Sequence, residues 1–123
     1  MRPQIVHANE ADEFRTDERC CILELWNRKD DAGVSIARAR VEAGVATQPH
    51  SLEGITERYL IVAGAGVVNV EGLPPEKVGP GDLVLIPDGA VQWIENTGSS
   101  DLGFYAICTP RFSPEAYRDR SRG

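Results

Sequence analysis

Residues 44–64, GVATQPHSLEGITERYLIVAG, place a histidine, a carboxylate and a tyrosine among strand-forming apolar residues. Side chains alternate along a strand, so Gln48, His50 and Leu52 share one face, and Glu57, Tyr59 and Ile61 share one face of the next strand. Ala63-Gly64-Ala65-Gly66 follows, a hairpin signal because glycine reaches positive φ without a steric penalty. Residues 81–96, GDLVLIPDGAVQWIEN, read as its partner: a short apolar strand at 83–86, a Pro87-Asp88-Gly89 turn, and a strand at 91–96.

Working outward, CCILELW (20–26), VSIARARV (34–41) and LGFYAIC (102–108) alternate or run apolar in the manner of half-buried strands. Arg38 and Arg40 fall together on one side of their strand, where long stems can cover apolar surface beside solvent. In all, about eight short strands separated by turns predict an all-β sandwich or barrel. Helix is confined to the ends. Asn9 can cap a turn through Asp12, and Ser113-Pro114 can start a short helix reaching about Arg118, with residues 119–123 expected to fray.

A chain of 123 residues matches the commonest domain size, so a single domain over residues 1–123 is expected. Thirteen lysines and arginines against nineteen acidic residues give a net charge of −6, and no basic stripe is present, which argues against a nucleic-acid partner. No apolar run approaches the roughly 20 residues that cross a bilayer, and the first residues lack a signal-peptide core, so a cytoplasmic protein without a membrane partner is expected. Cys20, Cys21 and Cys108 form no CxxC pair and are expected to be free thiols.

The two stretches resemble the signature of the cupin superfamily. Gly44, His50, Glu57 and Gly64 stand at the spacing of the family's first motif, and Gly81, Pro87, Gly89 and Asn96 at that of its second. Two positions where the family carries metal-binding histidines hold Leu52 and Gln92 instead. The resemblance implies a jelly-roll β-barrel, the double-stranded β-helix, with motif one at 44–64, motif two at 81–96 and a tail at 113–123. It also implies a homodimer. Inward-facing Gln48, His50, Glu57, Tyr59 and Gln92 would then surround a cavity lined by Leu52, Ile61 and Ile94, with Cys108 joining if its strand points inward.

The expected chemistry follows from that set. His50, Glu57 and Gln92 are the candidate ligands of a divalent metal (Fe, Mn, Ni or Zn), held more weakly than by three imidazoles because an amide is a poorer donor. His50, Glu57 and Tyr59 are the candidate catalytic groups, in a metal-dependent oxygenase or in isomerase- or lyase-type proton transfer. The contrasting expectation is a non-catalytic barrel that binds a small ligand, such as a sensor, without metal.

Overall fold

The computed structural model describes residues 1–121. Eleven strands follow in chain order: β1 (Phe14–Arg15), β2 (Cys21–Trp26), β3 (Ser35–Val41), β4 (His50–Leu52), β5 (Thr56–Ala63), β6 (Gly66–Val70), β7 (Glu76–Val78), β8 (Leu83–Ile86), β9 (Gln92–Asn96), β10 (Leu102–Thr109) and β11 (Tyr117–Asp119). They form two sheets, β1-β2-β3-β10-β5-β8 and β11-β4-β9-β6-β7, in which every neighbouring pair is antiparallel. This is the jelly-roll barrel expected from the sequence.

Alternation decides what each sheet turns inward. Along β5, Glu57, Tyr59 and Ile61 are buried while Leu60 and Val62 are exposed. Along β9, Gln92, Ile94 and Asn96 are buried between the less buried Trp93 and Glu95. The main core packs Ile61, Val41, Leu102, Ile86, Ile94 and Val68 between the sheets, and a smaller cluster packs Leu52 and Ile55 against Cys108 and Ala116.

Two features of the opening stretch are needed where the chain reverses between β5 and β6. Gly64 has φ +82, and a Cβ there would lie 2.6 Å from the Asp101 carbonyl oxygen. Gly66 leaves room for Glu95, whose carbonyl oxygen would be 2.7 Å from an added Cβ. Asn96 closes the other motif from within: its amide donates to the Val41 and Ser100 carbonyls at 2.9 and 2.8 Å, and its Oδ1 accepts from Gly98 N–H at 2.9 Å.

The chain ends differ from the sequence reading in instructive ways. The expected strand through residues 45–52 shortens to β4, with only an isolated bridge from Ala46 to Glu95. The arginine side of β3 is covered by the N-terminal turn Glu10–Asp12 and the residue after it: Arg38 pairs with Glu10 at 2.8 Å and Arg40 with Glu13 at 2.6 Å. The expected C-terminal helix is a single 3₁₀ turn, Pro114–Ala116, which Ser113 does not cap through its side chain. Residues 117–119 instead add β11 to the open edge of β4, where the backbone finds ladder partners that one more helical turn would not supply. Of the end expected to fray, Asp119 belongs to β11 and residues 122–123 lie outside the described residues.

Replacing Gly64 by alanine is expected to lower stability by about 1–3 kcal/mol, because strained backbone and a blocked carbonyl approach coincide there. Urea unfolding of Gly64→Ala beside Gly72→Ala, whose added Cβ meets nothing within 4 Å, measures the close-contact part. Equal losses in the two variants would contradict it.

Candidate active site

Strand register brings the motif residues together. His50 and Gln92 are direct partners across β4 and β9, while Glu57 stands opposite Cys108 across β5 and β10. The two pairs belong to different sheets and meet inside the barrel. Gln92 Nε2 donates to Glu57 Oε1 at 2.6 Å, and the Tyr59 hydroxyl donates to Gln92 Oε1. Cys108 points inward as well, its thiol donating to Glu57 Oε2 at 3.6 Å. Gln92 is 0% exposed, so both ends of its amide must find partners in the barrel, and both do.

Burial governs the titrations. It pushes the Glu57 carboxyl upward, against the bond from Gln92 and the field of His50, and it pushes the Tyr59 phenol well above its ordinary value. The Cys108 thiol is raised by burial and then by Glu57, so it stays protonated at neutral pH.

Beside this chain of bonds lies a cavity of about 320 Å³, whose wall includes His50, Leu52, Glu57, Tyr59 and Cys108. Gln92 sits behind that wall, and Gln48 contributes its backbone carbonyl. Ile61 and Ile94 fill the core between the sheets. His50 Nδ1 lies 2.8 Å from the Gln48 carbonyl and 3.3 Å from Glu18 Oε2. Both neighbours are acceptors, so Nδ1 carries the proton and Nε2 is the acceptor of the neutral ring. Tyr117 stacks on the imidazole at 5.3 Å with a 14° interplanar angle.

Glu18 and Tyr117 are site residues that the sequence did not reveal. Glu18 lies in the polar run Thr16-Asp17-Glu18-Arg19, which reads as a solvated turn. That turn is folded under: Thr16 N–H and Oγ1 both donate to the Cys20 carbonyl, Arg19 has φ +66, and Gln48 N–H donates to the Glu18 carbonyl at 3.0 Å. Burial raises the Glu18 carboxyl, opposed by His50 and Tyr117. Tyr117, whose phenol burial pushes up to about 12, reaches the site only because β11 pairs with β4.

These residues do not fit the divalent metal that the motif implies. A single imidazole offers one nitrogen, Nε2, Leu52 has no donor atom, and the Gln92 oxygen accepts from Tyr59. Glu57 receives a donor on each oxygen. Among the described residues, no three His, Cys, Asp or Glu side chains are grouped as a metal would require.

Fold and site together define a jelly-roll barrel with a partly open cavity, and comparison with known proteins gives it relatives. No family model matches the chain. In sequence it is similar to germin-like protein subfamily T member 3 of Arabidopsis thaliana, 31% identical over 72 residues that make up 55% of this chain and 32% of that protein. It is similar also to an oxalate-binding protein of Thermotoga maritima, 35% identical over 71 residues, 58% of each chain. The chain thus spans less than two thirds of the length of either relative. Among solved structures, a predicted oxalate decarboxylase from Thermotoga maritima superposes with TM-score 0.77 at 25% identity, covering 87% of this chain and 99% of that one. Its fold is the double-stranded β-helix of the cupin superfamily, and its sequence relatives support that placement.

Protein reconstituted with Fe, Mn, Ni or Zn is expected to retain well under one equivalent by elemental analysis, and Leu52→His combined with Gln92→His to tighten retention by about tenfold or more. One tightly held ion per unmodified chain would contradict the donor count. A second expectation concerns pH. A carboxyl raised in the folded state binds a proton that the unfolded chain has lost, so its contribution is complete below the ordinary value of 4.5 and declines as pH rises toward the folded-state value. Glu57→Gln should therefore gain stability relative to the unmodified protein as pH rises from 4 to 8. Urea midpoints across that range measure the difference, and a constant offset would refute it.

Proposed function

We propose that the chain binds a small, largely apolar molecule in the barrel cavity and transfers a proton on it, as isomerases and lyases do, with His50 as base. The fixed imidazole carries this reading. With Nδ1–H bonded to the Gln48 carbonyl and Glu18 Oε2 beside it at 3.3 Å, the atom left to an occupant is Nε2, the acceptor a general base needs. Glu57 is the acid on the opposing sheet, since burial favours its protonated form, and its thiol contact at 3.6 Å is weak enough for an occupant to displace. Tyr59 is a positioning residue that holds Glu57 through the Gln92 amide. The cavity volume, about 320 Å³, is at the low end of ligand sites and suits a small molecule.

The contrasting reading is a binding or sensing barrel without turnover. It is favoured by the completeness of the Glu57–Gln92–Tyr59 chain, which leaves no bond unmade before a ligand arrives. Incubating small carbonyl compounds with the protein in D2O separates the two. Proton transfer predicts deuterium entering the α-carbon, slowed by about 10²-fold or more in His50→Ala. Compounds that perturb the cavity residues by NMR yet never exchange would establish binding alone.

We also propose that two chains pair through the outer face of β8 and β5. Leu83 and Leu85 are 64% and 55% exposed on a sheet-edge strand, with Leu60 and Val62 exposed beside them. Light scattering is expected to give twice the chain mass and to fall to the chain mass in Leu83→Glu. A monomer at high concentration would refute the pairing.

A further inference from the structure

The polarity of the cavity restricts its occupant beyond size. Glu18 and Glu57 are among its lining residues, as are the exposed Asp17 and Glu24, and among the described residues no lysine or arginine lines it. Among the described residues, His50 is the one basic side chain in the lining. Glu18 is hydrogen-bonded with Tyr117, and its Oε2 lies 3.3 Å from the Nδ1–H of His50, which bonds to Gln48 instead. A carboxyl group largely removed from water gains from a cation placed beside it. The remaining wall is mostly apolar and aromatic, broken by Thr16, Ser35 and Thr47, with Tyr59 and Phe104 packed at 4.3 Å and Tyr117 stacked over His50. Aromatic faces attract cations as well as apolar bodies. A carboxylate ligand such as oxalate would meet acidic groups and, among the described residues, no lysine or arginine, with no metal donor set to offset them.

Resting on the reading of the cavity as the ligand site, we propose that its occupant is a small protonated amine with an apolar body, its ammonium donating to Glu18. The exposed pair Asp17 and Glu24 draws the cation toward the opening. Glu18 then has two roles, orienting His50 and neutralising the ligand, and the substrate class becomes an amine-bearing carbonyl compound.

Three probes of matched shape test the charge: benzylamine, benzyl alcohol and benzoate, titrated into isotopically labelled protein at neutral pH and followed by amide NMR shifts. Benzylamine is expected to bind about tenfold or more tighter than benzyl alcohol, the difference a charge-assisted hydrogen bond makes, and benzoate least of all. Glu18→Gln should lower benzylamine affinity by about tenfold while leaving benzyl alcohol within about twofold. Benzyl alcohol or benzoate binding as tightly as the amine would overturn the charge assignment and leave the cavity reading standing. If no probe shifts the amides around His50 and Tyr117, both fall. The amine-to-alcohol ratio in the unmodified protein decides the matter even where Glu18→Gln fails to fold.

Discussion

A carboxyl group in the middle of a β-barrel has to be given a strong donor, and Gln92 gives it here. Its amide reaches from one sheet to the other: the nitrogen end binds Glu57, and the oxygen end takes the hydroxyl of Tyr59. Glu57 and Tyr59 are two residues apart on β5, so a single side chain on β9 satisfies a whole stretch of the opposite wall. A metal ion would join the sheets by collecting lone pairs. An amide does so by offering a donor and an acceptor at once, which suits an acid beside a phenol and leaves the imidazole to other partners.

Those partners come from the chain ends. The turn between β1 and β2 is held by its own backbone bonds and by the bond from Gln48 N–H to the Glu18 carbonyl, which brings Glu18 to His50. From the other terminus, β11 lays Tyr117 over the same ring. Neither element belongs to the central strands, yet together they fix the tautomer and the plane of the imidazole. Elements of this kind, short and at sheet edges, are where local opening costs least. Access to the cavity and order at His50 are therefore coupled through the same two segments.

What the sequence displayed well was whatever depends on local chemistry. Gly64, Gly81 and Gly89 all adopt positive φ, Pro87 follows directly on the end of β8, and Asn96 bonds the turn after its own strand. Alternation also gave the inward faces of β5 and β9. Long-range pairing was not displayed. Glu18 lies in a run of charges that looks solvated, Tyr117 follows a proline that suggests a helix, and the phase of Cys108 is set by its register with Glu57 rather than by its neighbours. For the same reason the expected ligand trio of His50, Glu57 and Gln92 could be named from spacing, while the bonds that occupy Gln92 could not.

Leu52 shows why the two departures from the motif belong together. It is the direct cross-strand partner of Tyr117 and packs with Ile55, Ala116 and Phe112 in the smaller apolar cluster. That cluster is the ground on which β11 rests, so an apolar side chain at position 52 supports the tyrosine that covers His50. A histidine there would add a ligand and remove part of the packing that holds the stacked ring. Gln92 does the corresponding work on the other side, replacing a metal ligand by a hydrogen-bonding bridge. The two substitutions move the site in one direction: away from several donors gathered on an ion, and toward one oriented imidazole facing a buried acid across a small acidic cavity.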